Sequence, residues 1–203
     1  DCTTLVIDLI EGANLISFYS LPADGDYSVE NIFGDLGSNA LKIFGQSTIA
    51  YNVPDGSGWV GSLEDVRDDD GYWLIVEESS SLEVQGLPTA PVTYAGSEGN
   101  NLLSYPYSDD QTISDALAGT SLDGGLYAVY GAGEMAAYID GQWAGALSGF
   151  EGGKGYWFVA SDAFAGFEYN IPDGTTELSK IASTPDRFHY NQSMVQRFYL
   201  MSD

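Results

Sequence analysis

The chain of 203 residues is poor in cations. Six Lys and Arg stand against 30 Asp and Glu, a formal net charge of −24. Neutralising phosphates takes clustered Lys and Arg, so the composition argues against unassisted binding to DNA or RNA. Docking on an anionic membrane surface is disfavoured for the same reason. Cysteine is nearly missing too. Cys2 stands alone, so no disulfide can close within the chain. We read it as an unpaired thiol near an end. An intermolecular disulfide or a lipid anchor are the alternatives, and Asp1 ahead of it argues against the anchor. Histidine is single as well, His189, far in sequence from Cys2, so a His and Cys metal cage is out of reach. No apolar run approaches the roughly 20 residues of a membrane-spanning helix. The chain opens at Asp1 without Met or a signal-peptide pattern. We read it as a processed product or a piece of something longer.

Apolar residues, by contrast, are plentiful. Hydrophobics make up 44% and aromatics 13%, enough to build a core, which argues against disorder. The chain also repeats itself. Gly12-Ala13-Asn14-Leu15-Ile16-Ser17-Phe18 returns as Gly99-Asn100-Asn101-Leu102-Leu103-Ser104-Tyr105. Trp59, Gly61 and Leu63 return as Trp143, Gly145 and Leu147. Gly71-Tyr72-Trp73 returns as Gly155-Tyr156-Trp157, and Pro88 as Pro172. From Trp59 to Pro88 the offset is a constant 84 residues. This is an internal duplication.

The pattern predicts a mainly β fold of two homologous units of about 85 residues, each with one short helix, plus a strand-like C-terminal tail. Repeat unit one covers residues 1–95, unit two 96–172, and 173–203 is a tail or the start of a third, different module. Each unit begins with an apolar strand, Asn14–Leu21 or Asn101–Tyr107. A short helix follows, capped by Ser28 or Thr112 and stopped by Gly34 or Gly119. Then come a β-rich stretch, 41–53 or 126–139, and an Asp-Gly turn at Asp55-Gly56 or Asp140-Gly141. The Trp-x-Gly-x-Leu and Gly-Tyr-Trp segments close the unit. A connector holding Pro88 and Pro91 permits either packed units or beads on a string.

Charge separates the tail from the rest. Residues 1–172 hold 26 acids and 3 bases, and residues 173–203 hold 4 acids and 3 bases. The nearly neutral tail reads as one or two strands over 188–201, without a partner in either unit. An unpaired edge needs a partner, so Phe188, Tyr190, Phe198 and Leu200 are the candidate partner-binding residues, with a neighbouring subunit's sheet as the sharper reading.

Other motifs carry less. Gly131-x-Gly133-x-x-Ala136 has the form of a dinucleotide fingerprint but lacks the βαβ context it requires. Asp68-Asp69-Asp70-Gly71 does not fit the calcium-loop spacing, and its counterpart is Gly152-Gly153-Lys154. No cofactor is called for, and a weak calcium site without a motif stays open. The four tryptophans recur at fixed places and are expected in the core. The less symmetric Tyr105, Tyr107, Tyr127 and Tyr130 are the candidates for a ligand-facing surface. No catalytic residues are assigned, because neither a Gly-x-Ser-x-Gly elbow nor a His-Glu-x-x-His helix is present. Asn191-Gln192-Ser193 is a formal glycosylation sequon.

The N-L-I-S-F start, the W-V-G-S-L segment and the closing G-Y-W-L resemble tandem extracellular repeats of large secreted and surface proteins of environmental bacteria and some virus-associated proteins. In that family a Gly-x-Gly element followed by alanines precedes the Trp. Gly131-Ala132-Gly133-Glu134-Met135-Ala136-Ala137 matches it, while Gly45-Gln46-Ser47-Thr48-Ile49-Ala50 departs. The segment from Tyr190 to Tyr199 is similar to the start of a module that follows such repeats. The resemblance implies secretion, a modular binding or structural role, and no catalytic residues. The expected function is therefore a non-enzymatic structural or adhesive repeat protein at a cell or virion surface, self-assembling into a layer, fibre or larger adhesin. Its partners would be copies of itself or adjacent modules, with neither nucleic acid nor membrane insertion. The alternatives are a pair of carbohydrate-binding modules and a virion decoration or fibre protein.

Overall fold

The computed structural model describes residues 2–173. The candidates Phe188, Tyr190, Phe198 and Leu200 lie outside the described residues, as does His189. The fold is mainly β, with two short helices. In the first half, β1 (Thr3–Leu9), β2 (Gly12–Ile16) and β3 (Ser20–Leu21) precede helix α1 (Val29–Phe33) and a 3₁₀ segment, Gly34–Asn39. Then follow β4 (Ala40–Phe44), β5 (Ile49–Val53), β6 (Gly58–Gly61), β7 (Tyr72–Val76) and β8 (Ser80–Pro88). The second half runs β9 (Tyr94–Gly96), β10 (Gly99–Leu103), β11 (Gln111–Thr112), α2 (Ile113–Leu117), β12 (Leu126–Tyr130), β13 (Met135–Ile139), β14 (Gln142–Gly145), β15 (Gly149–Phe150), β16 (Tyr156–Ala160) and β17 (Phe164–Phe167).

Each half centres on a five-stranded antiparallel sheet. The orders are β2-β7-β4-β5-β6 and β10-β16-β12-β13-β14, so sequence-equivalent strands hold equivalent places. Alternation decides the faces. Along β7, Tyr72, Leu74 and Val76 point inward and are buried, while Trp73 and Ile75 face outward and are half-buried. Along β16, Tyr156, Phe158 and Ala160 point inward, with Trp157 and Val159 outward. The helices cover the inner faces with Val29, Ile32 and Phe33, or Ile113, Ala116 and Leu117. The small sheet β1-β8-β3 adds Leu5, Ile7, Leu82 and Val84 to the first core. The second core is richer in rings. Phe150 stacks on Tyr105 at 5.5 Å and meets Tyr156 edge-on at 4.9 Å.

The predicted caps form. Ser28 Oγ accepts from the Asn31 N–H at 3.3 Å, and Thr112 Oγ1 from the Asp115 N–H at 3.1 Å. Losing either cap would cost about 1 kcal/mol. Gly34 is the C-cap of α1, as expected, but without the left-handed turn of a usual glycine stop. Its φ of −55° is right-handed, and the chain tightens into the 3₁₀ segment until Gly37 turns left at φ 52°. The expected strand Asn14–Leu21 is split, because the chain leaves the large sheet after Ile16 and pairs with β8 only at Ser20–Leu21. Asp140 and Gly141, at φ 51° and 81°, make the tight turn between β13 and β14.

All four tryptophans are half-buried rather than enclosed. Trp59 and Trp143 pack against the two cores as expected, whereas Trp73 and Trp157 face outward, which is a correction. The tyrosine beside Trp in Gly-Tyr-Trp holds the core place instead. Its hydroxyl tethers the incoming loop, since the Arg67 N–H donates to Tyr72 Oη and the Glu151 N–H to Tyr156 Oη, each at 2.8 Å.

The halves meet along a reciprocal seam. Ile16 pairs with Lys154, and its counterpart Leu103 pairs with Asp70. The Ser17 N–H donates to Gly153 O at 2.9 Å and the Gly155 N–H to Leu15 O at 3.3 Å. The matching bonds run from Ser104 to Asp69 O at 3.2 Å and from Gly71 to Leu102 O at 3.3 Å. Residue i meets j and the copy of j meets the copy of i, the signature of a two-fold contact. This explains the glycine of Gly-Tyr-Trp. A Cβ on Gly155 would sit 2.7 Å from Ile16 O and 3.2 Å from Gly71 Cα, so a side chain there would push the halves apart.

Candidate interaction site

At the heart of the seam two buried serines replace apolar side chains. Ser17 Oγ donates to Lys154 O at 2.6 Å and accepts from the Tyr105 N–H at 3.1 Å. Ser104 Oγ donates to Asp68 O at 2.5 Å, which leaves the Tyr94 hydroxyl as donor to Ser104 Oγ at 2.8 Å. Tyr169 donates to Ser104 O at 3.0 Å. Buried hydroxyls stand only when paired, and these are fully paired. Burial pushes the hydroxyls of Tyr72, Tyr94, Tyr105, Tyr156 and Tyr169 above the ordinary tyrosine range, so they stay neutral.

The acidic run Asp68–Asp70 works in this seam through its main chain. Asp68 and Asp69 offer carbonyls to Ser104, while Asp69 and Asp70 pair with Arg67 at 2.8 and 3.4 Å. Burial raises the Asp70 carboxyl, Asp69 and Asp68 add to the shift, and Arg67 opposes it. Among the described residues, no group of three or more His, Cys, Asp or Glu is placed to hold a metal ion.

Of the four tyrosine candidates, two are corrections. Tyr105 is 0% exposed and Tyr107 7%, so neither faces a ligand. Both rings lie in the second core, where Tyr105 also donates to Asp109 O at 2.8 Å. Tyr127 and Tyr130 are 63% and 42% exposed. Tyr127 falls where the β12–β16 register shifts, the extra residue of a bulge. Leu41 is the extra residue in the matching bulge of β4. Leu41 lines a cavity of about 490 Å³ with Phe33 and Trp59. Tyr130 lies on the outward sheet face, beside Trp157 and Met135.

The outward faces of both large sheets are apolar. In the first, register sets Trp73 beside Leu15 and Phe44, Ile49 beside Phe44, and Val60 beside Tyr51. Lys42 crosses this face, its ammonium 5.6 Å from the Phe44 ring. In the second, Trp157 lies beside Leu102 and Tyr130, Val159 beside Ala128, and Ala137 beside Ala144.

A groove of about 590 Å³ opens where the outer edge of β2 meets the β12–β13 turn. Its walls include Ile7, Ile10, Leu15, Leu147 and Tyr156, with Asp8, Glu134, Glu151 and Lys154 at polar positions. No local motif in the sequence announces this groove. The signal was the difference between the copies at one turn, Gln46 in the first and Ala132 in the second. No helix among the described residues is long and apolar enough to cross a membrane. Compared with family models, curated proteins and solved structures, the chain matches none.

Proposed function

We propose that the chain is a non-enzymatic extracellular repeat protein with a structural or adhesive role, assembling with copies of itself into a surface layer, fibre or larger adhesin. Its units would be residues 1–95 and 96–172, followed by 173–203. The observation that carries this reading is the apolar outward face left on both five-stranded sheets of a chain with a net charge of −24. A body that acidic does not aggregate indiscriminately, so the exposed part of this apolar surface, at Tyr51, Val60 and Tyr130, marks a place where a specific neighbour sits. Copies of the chain suit it best once salt screens their repulsion. Sedimentation velocity in low and high salt tests the proposal. Association that grows with protein concentration and with salt is the expected result. A monomer under every condition, with no affinity for cells, overturns it.

A second reading rests on Tyr130 beside Trp157. Two partly exposed rings on one strand-pair face form a platform of the kind that stacks on sugar rings. It makes the chain a pair of carbohydrate-binding modules. A glycan array without a hit removes this reading and leaves the first. A virion decoration or fibre protein would use the same surfaces, and imaging the protein on a capsid or on a cell separates the two settings.

A further inference from the structure

The duplicated halves differ at one edge. In one direction Gln46, from the β4–β5 turn, reaches across and satisfies the outer edge of β10. Its Oε1 accepts from the Leu102 N–H at 2.9 Å and its Nε2 donates to Asn100 O at 3.1 Å. The carboxamide thus stands in for one residue of a neighbouring strand. In the other direction the matching position is Ala132, which is too short to reach. The matching edge groups, the Leu15 N–H and the Ala13 carbonyl, border the groove without a side-chain partner among the described residues. The groove is therefore the place that Gln46 fills on the other side.

The chain holds a second segment of the same form. Phe44-Gly45-Gln46-Ser47-Thr48-Ile49 reads aromatic, any residue, Gln, Ser, any residue, β-branched. Tyr190-Asn191-Gln192-Ser193-Met194-Val195 reads the same. Charge agrees with this match. The groove carries Asp8, Glu134 and Glu151, and its Lys154 is already paired with Glu151. From Arg187 to Ser202 the chain has no acid and holds two arginines. Asn170 ties the start of the tail to the second half of α2, through Ala116 O and Ala118 O. That half of the helix is followed by the loop entering β12 at Leu126, whereas the groove opens at the Tyr130 end of the same strand.

We propose that the outer edge of β2 is the acceptor for Tyr190–Val195 of a neighbouring copy, with Gln192 bonding Leu15 and Ala13 as Gln46 bonds Leu102 and Asn100. The inference rests on the self-assembly reading above and names its contact. An open edge at one place and its complement at another make a head-to-tail contact, which propagates instead of closing. It also lets strongly acidic bodies stay apart while joined through a neutral arm.

Full-length variants test it by sedimentation velocity over a wide concentration range at moderate salt. Ala132→Gln supplies the missing carboxamide from within and blocks the edge. Gln192→Ala removes the incoming one. Each is expected to weaken association by about tenfold or more, the worth of one or two hydrogen bonds. Ala132→Ser, too short to reach the edge, is expected to associate like the parent. Ala132 is exposed in a turn, so circular dichroism should show both of its variants folded. Association unchanged in Ala132→Gln and Gln192→Ala overturns this contact and leaves self-assembly standing. A parent that is monomeric throughout overturns both. A monomer whose tail becomes protease-sensitive only in Ala132→Gln overturns the neighbouring copy as the source and places the segment on its own body.

Discussion

Alkali should unfold this protein abruptly, and the tyrosines say where. Tyr72, Tyr94, Tyr105, Tyr156 and Tyr169 are all 4% exposed or less. Burial raises each hydroxyl, and in the unfolded chain each would ionise near the ordinary value of about 10. Their folded values lie above their unfolded ones, so their contribution is intact below pH 10 and is lost as pH climbs from there toward the folded values. One such group costs about 1.4 kcal/mol per pH unit above 10. Five together cost about 7 kcal/mol per pH unit, against a typical total stability of about 5–15 kcal/mol. Unfolding is therefore expected within roughly one to two pH units above 10. The assay follows tyrosinate absorbance and far-ultraviolet circular dichroism in one titration. The buried five should ionise in one step, together with the loss of the β signal. Smooth ionisation of these five around pH 10 with the β signal intact would refute the packing described.

Tyr72→Phe and Tyr156→Phe should each destabilise by about 1–3 kcal/mol, because each leaves a backbone N–H of the preceding loop without its acceptor. Chemical denaturation measures this, and near-neutral variants would show that water replaces the hydroxyl. Gly155→Ala should cost about 3 kcal/mol or more by forcing Ile16 O and Gly71 apart. Gly133→Ala, where an added Cβ meets nothing within 4 Å, should cost only the strain of its left-handed backbone, about 1 kcal/mol. Equal losses in the two variants would remove the seam as the cause. Salt or divalent cations should raise the melting temperature by screening a net charge of −24, and a melt unchanged from low to high salt would contradict that.

Much of the fold was legible because repetition doubles each signal. Ser28 and Thr112 announced their helices, and Asp140-Gly141 announced its hairpin, through local chemistry that needs no partner. Trp73 and Trp157 misled because recurrence marks what each copy requires, not how deeply it is enclosed. On strand β7, Trp73 and Tyr72 differ by one residue, and the pleat sends them to opposite faces. Tyr105 and Tyr107 misled for a related reason. They follow an apolar strand whose partner rings, Phe150 and Tyr169, arrive from far along the chain. The seam was hidden altogether. Its contacts are main-chain bonds from Ser17, Ser104, Gly71 and Gly155 and the hydroxyls of the two serines, residues whose side chains say little about long-range partners. A polar residue kept inside an apolar run in both copies, as Ser17 and Ser104 are, was the one trace of it.

The reciprocal seam sets a parity rule. Each half offers two half-contacts, the end of its first large-sheet strand and the loop before its Gly-Tyr-Trp, and each receives the same two in return. Two halves therefore satisfy one another in these contacts, with the outer edge of β2 left open beside them. A single half on its own would meet a copy of itself with the same geometry, so it should form a homodimer rather than a stable monomer. In any longer run of such repeats, even numbers close and odd numbers leave one half seeking a mate on another chain.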